Sequence, residues 1–483
     1  MLKETLKFEV NQSSSSNQLA QQQSFQVPKN VQSISIEITT DRPLWLNYMV
    51  YDDRNELRAQ FMKINAPQPL VIHQEKGKTS PYAISGEIHE GEWMIDIVII
   101  SNEEIEANIN WCECKITFND TSVEYTQADA ANWQTSEQAA FQLSEFDENK
   151  VFNQDHKWYK GDFHTHTIYT DGEMTREENM VSAKNQNLDF FVATDHNLVP
   201  TSWVDGKGIL VIPGVEVTSM LGHFNILNTN TSPFLRNRMT DMMTEEGMNN
   251  ILSDDYGNSI VSINHPFLTE WKWLLRETPL DKVDTIEIWN DPTYKYNPQA
   301  TEWALIAWNY LLNDGYKITG IGGSDSHLKP DDAYEGSTEP SLIGDPGTYV
   351  YCEQLSAANV VTGLRKGNVT VSRGEFVQFR LGDLIAGSTS KGVTGLIHAQ
   401  VDTEEAIYFE WIVDGEKVKK DMTNQSDFLI NFTDPDAYHW IRVDVRHEDG
   451  RLYGFSNPIY FGEKQPTIKK WGQILDIMSD YVE

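Results

Sequence analysis

Six histidines, three aspartates and a glutamate between Gly161 and Leu328 have the types and the spacing of a metal centre. They are His164-Thr-His166, Asp171, Asp195-His196, Glu216, His223, His265 and Asp325-Ser-His327. Most of them close a short apolar run, as in GDFHTH, DFFVATDH, ILVIPGVE, NSIVSINH and KITGIGGSDSH. Imidazole and carboxylate together are the ligand set of Zn, Mn or Fe. His164 and His166 are two apart, so on a strand both side chains face one way. Asp325 and His327 repeat that spacing after Gly322-Gly323, where missing side chains let backbone approach a site. In a dry strand end such groups are costly unless they bind metal or one another. Two divalent ions side by side lower the pKa of a bridging water, and the resulting hydroxide attacks an electrophilic phosphorus or carbonyl carbon.

The elements that position these residues read as strands alternating with helices over residues 151–374. Thr175 and Glu178 make a capping box that opens a helix to about Asn187, followed by the strand LDFFVAT. Trp303–Asn313 reads as a second helix closed by Gly315, and Ser356–Lys366 as a third ending at Gly367. Such alternation predicts a parallel sheet or barrel with the ligands on the loops that follow its strands. Residues 1–150 read instead as a β-sandwich domain that includes the linker beginning at Thr126, with a flexible loop at Ser13–Gln23. Residues 375–463 read as a second small sandwich, with hairpin turns at Asp414-Gly415 and Asp449-Gly450. Within the terminal segment 464–483, Ile468, Trp471, Leu475, Met478 and Val482 have helical spacing, which predicts a docking helix over about 467–482.

The motifs around the ligands resemble those of the PHP (polymerase and histidinol phosphatase) superfamily. They are GDF-His164-Thr-His166, Thr-Asp171-Gly, AT-Asp195-His196-Asn, GV-Glu216, Gly-His223, Asn-His265-Pro and GS-Asp325-Ser-His327. Within that superfamily IEI-Trp289-Asn290, PGTYVY and the flanking β-domains resemble the CehA/McbA-like metallohydrolases. The resemblance covers about residues 160–372, with a weaker echo in RHEDGRLYGFSNPIYF. It implies an α/β chain whose distorted (β/α)7 PHP-type barrel holds two or three divalent metal ions, flanked by the two all-β domains. One ion would take His164, His166, Glu216 and Asp325, and a second would share Glu216 and take His223 and His265. A third would be held by Asp171, His196 and His327. Asp171 stands where many relatives have histidine, and its hard carboxylate favours Mn or Mg over Zn. Catalysis would rest on Glu216 as the bridging carboxylate, on Asp325, and on Asp195 orienting a histidine or relaying a proton.

Substrate contacts are expected from Trp271 and Trp273 after His265-Pro, from Trp289 and Asn290 at the end of TIEIWN, and from Arg373 near the barrel end. The PHP resemblance favours a phosphoesterase and the CehA resemblance a carboxylic or carbamate ester or amide hydrolase. A non-catalytic carbohydrate- or protein-binding module is the alternative from a different class. A formal net charge of −34 and no basic stripe argue against nucleic acid and leave a small anionic ester as the expected partner. The three cysteines, Cys112, Cys114 and Cys352, make no disulfide framework and read as buried thiols. No apolar run is long enough to span a membrane, and MLKETLKFEV lacks a signal-peptide core, so a cytoplasmic location is expected. Self-association into a homo-oligomer stays open.

Overall fold

Seven short strands lead to the candidate ligands: β1 (Lys157–Asp162), β2 (Phe190–Ala193), β3 (Leu210–Ser219), β4 (Gly222–Leu227), β5 (Ile260–Ile263), β6 (Thr285–Asn290) and β7 (Thr319–Gly323). The computed structural model describes residues 2–10, 18–40, 45–100, 110–119, 130–134, 141–204, 208–434 and 436–482. β1, β2 and β3 pair in parallel, β4 is antiparallel to both β3 and β5, and β5, β6 and β7 are again parallel. Just beyond β1 and β7, Thr165 and Ser326 form a parallel bridge, so the first and last strands of this path meet. Every residue of β2 to β7 is buried, which is why these strands read as continuous apolar runs rather than alternating ones.

Helices do not follow every strand, as a regular (β/α)7 repeat would require. β3 turns straight into β4 through Met220-Leu221, with Ser219 paired to Gly222. Gly222 has φ +131°, and an added Cβ would lie 2.7 Å from the Trp273 ring, so a glycine closes this turn. The described helices around the sheet are α1 (Arg176–Asn185), α2 (Glu245–Ser253), α3 (Asn297–Asp314) and α4 (Ala357–Arg365). Thr175 and Glu178 form the expected capping box on α1. α3 begins earlier than its apolar pattern suggests, because Pro298 occupies the first turn, where no amide donor is needed. Gly315, at φ +104°, closes it as expected.

The sheet does not stop at residue 374. β1 also pairs antiparallel with β8 (Gly347–Cys352), β8 with β9 (Val369–Ser372), β9 with Leu452–Ser456, and that strand with His439–His447 of the C-terminal region. Asp414-Gly415 and Asp449-Gly450 make the expected hairpin connections there. The terminal helix α5 covers only Trp471–Met478, shorter than expected, and in the segment before it the amides of Thr467 and Ile468 donate to the Asp314 carboxylate.

The N-terminal region forms two four-stranded antiparallel sheets around a core that includes Ile34, Ile36, Tyr48, Trp93 and Ile116. Its Ser/Gln-rich stretch is not wholly a loop. Gln18–Val27 is an edge strand paired along its length with Gly91–Ile100, and an edge tolerates polar side chains that a central strand would not. Ser13–Asn17 lies outside the described residues. All three cysteines are buried free thiols. Among the described residues no helix is long and apolar enough to cross a membrane.

Candidate metal centre

The chain ends of β1 and β7 place two ligand pairs. His164 and His166 stand just past β1 rather than on it, in a segment whose Thr165 bridges Ser326, and their rings lie 5.1 Å apart. Asp325 and His327 flank the other side of the same bridge, and the Asp325 amide donates to the His164 carbonyl at 2.9 Å. The glycines before them are needed for this approach. A Cβ on Gly323 would lie 2.3 Å from Glu287 Oε1 and 2.6 Å from His164 Cβ. Glu216 sits within β3, His223 on β4, His265 after β5, and His196 bridges Glu216. His265 and Asp325 hold positive φ of 27° and 47°, conformations that persist only where the surroundings impose them.

Glu216 is the hub. Its Oε1 lies 3.2 Å from His164 Nε2, 3.1 Å from His223 Nδ1 and 3.5 Å from His265 Nε2. Its Oε2 lies 2.7 Å from His196 Nδ1 and 3.5 Å from His166 Nε2. Asp325 Oδ1 stands 3.2 Å from His164 Nε2 and 2.9 Å from His166 Nε2. Asp171 faces His196 Nε2 at 3.3 Å and His327 Nε2 at 3.2 Å. Among the described residues, four overlapping sets have ligand atoms within 4.8 Å of one another: His166/Asp171/His196/His327, His164/His166/Glu216, His164/His265/Glu287 and His196/Glu216/His223. The expected third set therefore assembles with His166 added, and Asp325 lies beside the expected first set. Glu216 and His223 meet as expected, but His196 completes their group, while His265 stands with His164 and Glu287.

Glu287 was not among the residues picked out by spacing. Its Oε1 lies 3.0 Å from His164 Nδ1, and its Oε2 accepts from the His265 amide at 2.8 Å and from Asn290 Nδ2 at 3.1 Å. A carboxylate on the far ring nitrogen fixes the tautomer and direction of a metal-binding histidine. The signal for it was a charged residue between Ile286 and Ile288 in a strand that is otherwise buried. The register shift between Glu287 and Trp289 is the bulge that aims this side chain inward. Asn290 also donates to Asp325 Oδ2 at 3.2 Å, and Asn264 donates to Glu216 Oε1 at 2.8 Å.

The donors fit a divalent ion. His164 Nε2, both His166 ring nitrogens, Asp171 Oδ1, Glu216 Oε2, His223 Nε2, His265 Nδ1 and Asp325 Oδ1 are buried and make no hydrogen bond. Buried polar atoms without a hydrogen bond on this many neighbouring ligand residues are what a bound cation would satisfy. Burial, with the charges of His327 and His196, pushes His166 down to about 3, and burial brings His223 to about 4. Both rings therefore keep a free lone pair at neutral pH. Burial also opposes charge on His327, but Asp171 and Asp325 outweigh it and hold the ring up at about 9. In the metal-free protein His327 is thus protonated at neutral pH, and a metal must displace that proton. Metal uptake at neutral pH is expected to release protons, with apparent affinity climbing as pH rises toward about 9. Calorimetric titration in two buffers of unlike ionisation enthalpy reads the release, and a buffer-independent heat contradicts it.

The remaining predicted residues are spread more widely. Asp195 touches no histidine: its oxygens accept from the Thr167 amide, from the Thr167 and Thr170 hydroxyls at 2.8 Å, and from Tyr82 of the N-terminal domain. It thereby fixes the loop after His166. Burial and the Asp195 charge hold the Tyr82 phenol well above its usual range, so it remains a donor. Tyr82→Phe removes one of four donors to a buried carboxylate and is expected to lower stability by about 1 kcal/mol. Denaturant unfolding checks this, and an unchanged midpoint contradicts it. Trp271 is half-buried beside His223, whereas Trp273 is fully buried, donates to Thr278 Oγ1 at 3.0 Å and cannot meet a substrate. Trp289 is buried and lines a separate cavity of about 270 Å³ with Arg373. Arg373 is engaged by Asp345 at 2.9 and 2.8 Å and by Glu339 at 2.8 Å, so it is not free to bind an anion at the centre.

No protein-family model and no curated protein matches the chain. Among solved structures it is similar to a two-domain protein from Bacteroides vulgatus containing a predicted PHP-like metal-dependent phosphoesterase. The identity is 15%, over 65% of this chain and 99% of that one, with a TM-score of 0.36. It is also similar to a candidate metal-dependent phosphoesterase from Bifidobacterium adolescentis, at 15% identity over 38% of this chain and 93% of that one, with a TM-score of 0.25.

Proposed function

We propose that the chain is a metal-dependent hydrolase of the PHP type that cleaves phosphoesters, with β1 to β7 as its closed, distorted barrel. The observation that carries this reading is the set of overlapping ligand groups that share His164, His166, His196 and Glu216. Two or three divalent ions bound there, Zn, Mn or Fe, would supply Lewis acidity toward a phosphoryl oxygen and lower the pKa of water.

The chain's own residues do the positioning. Glu216 is held well below the usual carboxylate range: burial opposes its charge, but His164, His196 and His223 outweigh it. It stays anionic and orders the five imidazoles around it. Glu287 fixes the His164 ring and the His265 backbone, and Asn290 ties Glu287 to Asp325. Asp195 positions Thr167 and hence the loop that leads to Asp171. Asp171, Asp325 and His327 keep 24, 17 and 20% of their side chains exposed, while His164, His166 and Glu216 keep 1% or less. Substrate therefore enters from the Asp171 and His327 side.

Assays of p-nitrophenyl phosphate, bis-p-nitrophenyl phosphate and aryl acetates with added Mn or Zn test this. Phosphate release that stops on chelation is expected. Metal-dependent turnover of the acetates with no phosphate release would overturn the phosphoesterase reading in favour of a carboxyl-ester hydrolase.

A further inference from the structure

A cavity of about 360 Å³ lies at the base of the barrel, where β7 begins, whereas Asp325 and His327 follow its other end. That volume is in the range of small-molecule sites. Its cations are Lys317, just before β7, with Arg365 and Lys366 at the end of α4. Ser388 and Thr389 of the C-terminal region form the facing wall. Gly367 and Gly387, at φ of 67° and 84°, bring the two walls together. A Cβ on Gly387 would lie 2.1 Å from the Lys366 carbonyl oxygen, so the turn after α4 and the turn before Thr389 pack backbone to backbone.

The charge of this cavity runs against that of the chain. Acidic residues outnumber basic ones 72 to 38, yet the lining holds three cations and no carboxylate. The Lys317 ammonium stands 3.2 Å from Glu463 Oε1 and 3.1 Å from Thr389 Oγ1. Arg365 donates to Asn258 Oδ1 at 2.5 Å and to the Ser259 carbonyl at 2.8 Å, both neutral partners. Among the described residues the Lys366 side chain makes no hydrogen bond or ion pair. Glu353 and Asp383 line an adjoining cavity that Lys366 also borders, but neither pairs with it. A helix C-terminus attracts cations, but it carries only about half a negative charge. Three cations less Glu463 and that half charge leave more than one positive charge over. Ser388 Oγ accepts from the Ile385 amide at 3.2 Å and Thr389 Oγ1 accepts from Lys317, so both hydroxyl hydrogens are left to donate.

We propose that this cavity binds a phosphoryl group, either free phosphate or the headgroup of a small organic phosphate. Such a group carries a charge of about −1.5 to −2 at neutral pH, the scale of the surplus here. The ammonium groups of Lys317 and Lys366 and the two hydroxyls are donors suited to its oxygens, and charge-assisted hydrogen bonds are the stronger kind. Arg365 adds charge while its N–H groups stay on Asn258 and Ser259. The whole of β7 separates Lys317 from Asp325, so this is a second ligand site and not part of the metal centre. It stands whether or not the metal centre cleaves phosphoesters.

The test is calorimetric titration of the Mn-loaded full chain with inorganic phosphate and with propylphosphonate, at equal metal content in wild type and variants. Phosphate can also meet the metals, so the readout is the difference made by Lys317→Met and Lys366→Met, which leave the metal ligands untouched. The wild type is expected to bind one more anion per chain than the double variant, and each single variant to hold that anion about tenfold less tightly. Phosphate should also raise the thermal midpoint further in the wild type than in the double variant. Lys366 is exposed, so Lys366→Met alone carries the test if the double variant fails to fold. Tighter binding of propylphosphonate would assign the site to an organic phosphate, and tighter binding of phosphate to the free ion; either supports it. Isotherms that coincide for the wild type and Lys366→Met overturn the site.

Discussion

Glu216→Gln is expected to lower the turnover number by about a thousandfold or more and to remove at least one metal equivalent per chain. Five imidazoles stand within 3.5 Å of its two oxygens, and it belongs to two of the four candidate ligand sets. Glutamine keeps the shape and the Asn264 contact but not the charge. The amide cannot balance divalent ions, and its NH2 group would face ring nitrogens that need to keep their lone pairs for metal. Metal-ion stabilisation of a transition state is worth several kcal/mol, which is the source of the thousandfold estimate. The measurements are steady-state rates on p-nitrophenyl phosphate together with elemental analysis of the same preparation. Full metal content with more than about a tenth of wild-type turnover would contradict the role given to Glu216.

Glu287→Gln is expected to lower metal affinity or activity by about 10- to 100-fold, the range for losing a carboxylate behind a ligating histidine. The substitution leaves volume and burial nearly unchanged, so the loss reads the electrostatic hold on His164 rather than packing. Three contacts are at stake: His164 Nδ1, the His265 amide and Asn290 Nδ2. A glutamine can still accept one of these through its oxygen, which is why the effect should be smaller than at Glu216. Metal titration of the two variants side by side checks the order. Equal or reversed losses would show that Glu287 coordinates rather than orients.

The ligands were legible in the sequence because they are metal-binding residue types and most of them close an apolar run, and that pattern is local. His164-Thr-His166 and Asp325-Ser-His327 survive even though the strands stop short of them, since the Thr165–Ser326 bridge holds the two segments side by side. Glu287 escaped because it lies inside a strand, where only its burial between two isoleucines marks it. Trp271 and Trp273 look equivalent by spacing. The chain leaves strand geometry there, so Trp273 packs into the Gly222 turn while Trp271 stays at the centre. Arg373 looked free to bind an anion, but its carboxylate partners Glu339 and Asp345 lie 34 and 28 residues away. Tyr82 was beyond local reading altogether. Its role depends on how the N-terminal sheets dock on the loops of the central domain, which no periodicity encodes. The incomplete helix–strand alternation has a similar cause: the turn from β3 into β4 depends on the fit of Gly222 against Trp273.

The central claim is that these residues hold divalent metal. Its most direct test is elemental analysis of the full chain after incubation with Mn, Zn or Fe and removal of unbound ion by desalting. Two or three tightly held equivalents per chain are predicted, falling in Glu216→Gln. A wild-type chain that retains none of these metals would contradict it.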